Sequence, residues 1–191
     1  MANGGLRWVP DVFDAYCLAF VRGVTVGELV RRLGADPAAV REGVTGQAAF
    51  TSAMNEGAVS LLGTAQGWAF SLEHWSEQAA QADVLARLSG GTEAVVMVNG
   101  GVGTTRFLHA VDGLVVADFE PGVSAADMNV SADERLVPLL GDTDFFDGDE
   151  CSVLGEADEE SWMLRLAERA FGLSLPRQEL EHGALDAVLL P

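Results

Sequence analysis

Three stretches of the sequence carry residue types that could do chemistry. The first is "VVMVNGGVGTTRFLHAV", where Gly100, Gly101 and Gly103 follow an apolar run. Glycine-rich loops cradle phosphates when they join a strand to a helix, because the anion then meets the helix N-terminus. A Walker-type loop also needs a lysine, and all eleven basic residues of this chain are arginine. A dinucleotide loop needs a third glycine opening a helix, whereas Gly103 leads into Thr104, Thr105 and Arg106. Thr104, Thr105, Phe107 and Val111 favour strand, and Asp112-Gly113 suits the next two-residue turn. The glycines therefore read as a hairpin tip, where positive φ is needed.

The second stretch is "DTDFFDGDECSVLGEADEE". Residues 142–160 hold nine acids and no arginine. A calcium loop alternates its carboxylates, with glycine at position six and glutamate at twelve. Counted from Asp142, position six is Asp147; counted from Asp147, it is Ser152, and position twelve is Asp158. Neither register fits. Two readings stay open: a solvated loop whose Asp158, Glu159 and Glu160 favour the start of a helix, or an acidic surface that docks a basic protein. The contact residues in the second reading are Asp142, Asp144, Asp147, Asp149 and Glu150. Trp75, expected to be the most exposed tryptophan though partly buried, joins them; Trp68 reads as core.

The third set is His74, His109 and His182. They fall in different elements, and none has ligand spacing to another histidine or to a cysteine. His109 alternates with Phe107 and Val111 on one strand face, the pattern of a core histidine with satisfied nitrogens. An alternative groups Glu73, Arg106 and His109 as a ligand cleft near the sheet edge, with His74 beside Glu73. No Gly-x-Ser-x-Gly elbow arms a serine. Cys17 could act as a nucleophile only beside a histidine, and an apolar helix face favours its burial. These patterns assign no catalytic residue, metal or cofactor.

The elements that must position these residues read as α+β. Phe13, Tyr16, Cys17, Phe20 and Val24 recur at helical spacing from Pro10. Thr25-Val26-Gly27-Glu28 has the form of a capping box for a second helix ending at Gly34, and Asp36-Pro37 opens a short third. Strands are expected over 59–65, 68–73, 93–99, 104–111 and 114–120, with a short helix in "QADVLARLSGG". Ser131-Ala132-Asp133-Glu134 is a further capping box. A helix over about 159–171, a last turn after Pro176 and a final strand in "LDAVLL" follow. The expected architecture is a single domain, 1–191: helical over 10–45, a mostly antiparallel sheet of about five strands over 57–120, then an acidic loop and helices over 131–182.

Composition narrows the function classes. The net charge is −18. Residues 1–110 contribute −3 and residues 111–191 contribute −15. Nucleic-acid binding needs a basic face, so no nucleic acid is expected; no apolar run is long enough for a membrane helix. Two cysteines, Cys17 and Cys151, make no disulfide framework, and a cytoplasmic location is the default. The absent lysine excludes Schiff-base chemistry on that side chain.

Several stretches together resemble a large family of uncharacterised proteins from high-GC actinobacteria, defined by a domain of unknown function. They are "YCLAFVRGVTVGELVRRLGAD", "GWAFSLE", "VLARLSGGTEAVVMV", "RFLHAVDGLVVADFEP", "DERLVPLLGD" and "LAERAFGLSLP", in that order. The resemblance implies a soluble α+β protein and brings no catalytic residues. The family's usual asparagine-glycine-tryptophan turn is replaced here by His74-Trp75-Ser76-Glu77. The sequence leads to a small acidic cytoplasmic module that binds a basic protein, with an immunity-type or regulatory role by analogy. The alternative is a small-molecule binder or an unrecognised hydrolase.

Overall fold

The computed structural model describes residues 5–101, 105–121, 133–140, 156–183 and 185–191. Among the described residues, eight strands form one antiparallel sheet: β1 (Tyr16–Arg22), β2 (Arg41–Val44), β3 (Val59–Ala65), β4 (Trp68–His74), β5 (Glu93–Asn99), β6 (Thr105–Val111), β7 (Leu114–Phe119) and β8 (Leu185–Leu189). Their order is β2-β8-β3-β4-β1-β5-β6-β7. Among the described residues, six helices accompany them: α1 (Val26–Leu33), α2 (Gly46–Glu56), α3 (Ala82–Ser89), α4 (Leu136–Leu140), α5 (Glu156–Phe171) and α6 (Arg177–Glu181).

The central strands β1, β4 and β5 are buried on both faces, while the edge strands β2 and β7 are more exposed. Cys17, Ala19, Val21, Leu62 and Val96 pack under α1 and α3. Tyr16, Leu18, Phe20, Phe70, Met97 and Phe107 pack under α2, α4, α5 and α6. Small residues on the first face bring α1 and α3 close, and aromatic residues fill the second. Gly63 belongs to the second face, where it lies opposite Phe70. A Cβ built there would meet the Phe70 ring at 2.5 Å.

Two-sided burial explains the main departure from the sequence reading. The helix expected from Pro10 is a central strand, β1, held between β4 and β5. Every residue of "YCLAFV" is buried. A run that is apolar throughout satisfies a helical period and a buried strand equally well. Cys17 therefore lies on a strand face. Residues 10–45 are only partly helical, since β2 also falls there, and Asp36-Pro37 opens a single 3₁₀ turn, Pro37–Ala39. The sheet has eight strands where about five were expected, because β1, β2 and β8 join those read from 57–120.

Other expectations match the structure. Thr25 Oγ1 accepts from the Glu28 N–H at 3.2 Å, and Gly34 ends α1 at φ +85°. Gln66-Gly67 and Asp112-Gly113 both have positive φ and close the β3–β4 and β6–β7 hairpins, as type I′ turns require. The glycine cluster follows β5, which pairs with β6 from Asn99↔Thr105 to Glu93↔Val111. That pairing is a hairpin and leaves no helix N-terminus for a phosphate. Val102–Thr104 themselves lie outside the described residues.

Candidate functional site

Two polar regions lie at opposite ends of the strands, and His74 of one and His109 of the other share the face covered by α2, α4, α5 and α6. The first is a cleft of about 1050 Å³, where β1 begins and β4 and β5 end. The segment before β1 supplies Phe13 and Asp14, α2 supplies Phe50, the β4 end supplies Glu73 to Glu77, and α6 supplies Glu181. Its charged lining is Asp14, Glu73, Glu77 and Glu181, and no arginine lines it. Glu181 is shared with Arg177, whose Nε lies 2.7 Å away.

Local structure fixes the cleft's floor and rim. Strand alternation turns Glu73 to the α1/α3 face and His74 to the other. The Glu73 carboxylate is fully buried and accepts from the N–H groups of Gln78, at 2.8 Å, and Ala79, at 3.1 Å. It thereby caps the turn that follows β4. Burial pushes its pKa up against those hydrogen bonds. His74 is also buried, in ring contact with Phe13 (centroids 5.7 Å) and Phe50 (6.2 Å, edge-on). Burial holds its pKa below the ordinary histidine value, so the imidazole is neutral at pH 7. Its Nε2 is buried and has no hydrogen-bond partner among the described residues, a state that costs about 1–3 kcal/mol.

Trp75, at the rim, has φ +59° and is 70% exposed. A bulky side chain in that region is an outlier, and such outliers collect at ligand clamps. Phe50 is 45% exposed, and Met54, one turn further along α2, is 59% exposed. The helix anchors itself through Ala49 and Ala53 and turns its large apolar residues outward.

The second region is a closed charge network around His109. Its Nδ1–H donates to Asp133 Oδ2 at 2.5 Å, and its Nε2 lies 3.4 Å from Glu93 Oε2. Arg22 donates to Glu93 at 2.6 Å, and Arg135 donates to the other oxygen of the same carboxylate. Asp133 also accepts from the N–H groups of Arg135, at 2.9 Å, and Leu136, at 3.2 Å, at the start of α4. Phe171 packs edge-on against His109 and beneath Arg135. Burial works against the charge of Glu93, but the hydrogen bonds from Arg22 and Arg135 outweigh it and hold its pKa down. Burial likewise opposes the charge of Asp133 and is outweighed first by the His109 hydrogen bond.

The structure separates the residues grouped from sequence. Glu73 borders the main cleft. Arg106 turns to the α1/α3 face, is held by Asp118 at 2.7 and 2.8 Å, and lines a smaller cleft of about 510 Å³. Glu77 lines both clefts. His109 lies on the opposite face from Glu73 and Arg106, so the three do not form one site. Its reading as a core histidine on the Phe107 face agrees with its burial. Cys17 is fully buried, and burial, then the Glu73 charge, pushes its thiol pKa up, against thiolate chemistry. Asp142, Asp144, Asp147, Asp149, Glu150 and Cys151 lie outside the described residues, as does Ser131 of the second capping box. Among the described residues, no group of three or more histidine, cysteine or acidic side chains is placed to hold a metal, and no helix is long and apolar enough to cross a membrane.

Sequence reasoning missed Phe13, Phe50, and the Glu93–Arg135–Asp133 set around His109. The first was taken for a helix stripe. The signal for the last was Asp133 itself, whose carboxylate caps α4 as well as holding His109.

A model of a family of unknown function, DUF6461, matches residues 6–191. The chain belongs to that family. No curated protein and no solved structure matches it significantly. The family membership covers both polar regions and assigns a role to neither.

Proposed function

We propose that this DUF6461 chain is a binding module for a basic protein, which it takes at the cleft where β1 begins and β4 and β5 end. One observation carries the reading: the charged lining is acidic without an arginine, while Trp75 and Phe50 stand exposed at its edge. Acidic clefts steer basic partners, and exposed aromatic residues supply the anchoring energy of interfaces. The net charge of −18 extends the same field over the whole molecule, and nine of the acids that make it up fall at 142–160. In this reading the protein works by recognition, without turnover, in the cytoplasm of an actinobacterium. The all-arginine basic set, as GC-rich coding produces, and the two cysteines support that setting.

The test is capture of a basic protein from the native cytoplasm on the immobilised full chain, at low and moderate salt. The expected result is one stoichiometric basic protein, weakened by salt and lost with the Phe50→Ala, Trp75→Ala double variant. Capture that survives loss of both aromatics removes the cleft from the reading. Capture that is lost only when the acids between Asp142 and Glu160 become amides moves the site to that run.

A further inference from the structure

The geometry points to a guanidinium group on a slender apolar stem, such as an arginine side chain of the partner, as the chemical group this cleft is built to hold. The inference rests on the binding reading above and gives it a ligand chemistry. Three independent features meet at the same place. Trp75 is held exposed by a backbone conformation its side chain disfavours. His74, 5% exposed, lines the cleft with Nε2 unpartnered. Asp14 and Glu77 are exposed carboxylates on its lining, with no basic side chain but histidine among them.

Each feature selects part of the ligand. The carboxylates select a cation. His74 Nε2 is closed to solvent where it stands; in the tautomer with the proton on Nδ1 it is an acceptor, so a ligand that reaches it must bring N–H donors. The indole face of Trp75 and the ring of Phe50 favour a planar, weakly hydrated cation that stacks, which distinguishes guanidinium from ammonium. Phe13 and Phe50 flank His74 and provide the apolar walls for the stem. A protonated His74 would repel the same ligand, and its burial among aromatic rings opposes that protonation.

The probes are N-butylguanidinium, the neutral planar N-butylurea and N-butylammonium, titrated into the full chain. The indole N–H signal of Trp75, identified by its loss in Trp75→Ala, reports binding by NMR. N-butylguanidinium is expected to bind at about millimolar concentration, as befits so small a ligand. Trp75→Ala should weaken it about tenfold, followed through other cleft signals. Glu77→Gln should weaken it about threefold, as a solvent-exposed charge does. Both residues are exposed, and an unchanged circular dichroism spectrum certifies the folded variants. Equal binding of N-butylurea would overturn the cation, and equal binding of N-butylammonium would overturn guanidinium. If no probe binds while aromatic-dependent capture of a basic protein persists, this inference falls and the proposed function stands. If N-butylguanidinium binds and no basic protein is captured, the ligand chemistry stands and the protein partner falls.

Discussion

His74 and His109 lie on the same face of one sheet, near opposite ends of its strands, and the chain treats them in opposite ways. His109 has an aspartate on one nitrogen and a glutamate 3.4 Å from the other, with two arginines completing the set. His74 has aromatic rings around it and an unpartnered Nε2. Burial disfavours a polar group at either end; at the His109 end a carboxylate on Nδ1 offsets part of it. Both rings keep a buried Nε2 with no hydrogen-bond partner among the described residues, so the contrast lies in the charged groups gathered around His109 and the aromatic rings gathered around His74. The difference separates an end closed by ion pairs from an end that opens on a cleft, and substitutions at each end test it.

The largest effect is expected at the closed end. Asp133→Ala removes the partner of His109 and the cap of α4 together. A hydrogen bond to a charged group contributes about 1.5–3 kcal/mol, and loss of a helix cap costs about 1 kcal/mol more. Urea denaturation should therefore show a loss of about 3 kcal/mol or more. A loss under about 1 kcal/mol would mean that the network is solvated and that the two ends do not differ as described. Acid should attack the same end. Glu93 and Asp133 have lowered pKa values in the folded state. Their stabilisation is thus complete above the unfolded carboxylate values and is lost as pH falls through the lower folded ones. Glu73 has the opposite sign. Its pKa is raised, so its contribution favours the fold at low pH and is lost as pH rises through the folded value.

The next effect concerns the shared scaffold. Gly63→Ala places a methyl group against the Phe70 ring, which is fully buried and packed on Phe20. Overpacking of that kind costs about 1–3 kcal/mol, and thermal unfolding should show it while both polar regions keep their residues. A neutral result would show that the ring has room to move.

What the sequence made legible follows from how each signal is encoded. The hairpins at Gln66-Gly67 and Asp112-Gly113 are local, set by residues that accept positive φ, and the sequence is enough to place them. The cap at Thr25 is local as well. β1 was misread because burial on both faces erases the alternation that identifies a strand. α2 was missed because only Ala49 and Ala53 anchor it, while Phe50 and Met54 face outward and blur its stripe. The placement of Glu73 and His74 at a strand end beside a cleft was readable. Strand alternation alone puts Arg106 and His109, on one strand at an odd spacing, on opposite faces, so their grouping ran against the strand reading itself; the partners of His109 come from β5 and the start of α4, which no local pattern brings together.

At the open end, His74→Phe replaces an unpaired imidazole by a ring that stacks on the same neighbours. Removing an unsatisfied buried group should raise stability by about 1 kcal/mol at pH 7. The sign with pH is fixed. The folded pKa of His74 is lowered, so its contribution is present above the unfolded value near pH 6.5 and lost as pH falls below it. Wild type should lose stability relative to His74→Phe between about pH 7 and pH 5, measured by denaturation at each pH. A difference constant over that range would show that the imidazole is not buried as a neutral group.

The smallest expected change in stability is at Trp75, where it is the most informative about purpose. Trp75→Gly removes a side chain that is mostly in solvent and gives φ +59° to the residue that adopts it without penalty. Relief of the left-handed conformation is worth about 1–2 kcal/mol. Glycine's extra freedom in the unfolded chain returns about 1 kcal/mol of that. The net change should lie within about 0.5–1 kcal/mol of wild type, on the stabilising side, by urea denaturation. Capture of the basic partner should weaken sharply in the same variant. A residue that contributes nothing to the fold, sits in a strained conformation and is needed for binding is there for the partner. A clear loss of stability in Trp75→Gly would instead make the indole part of the packing, and the open end would then resemble the closed one.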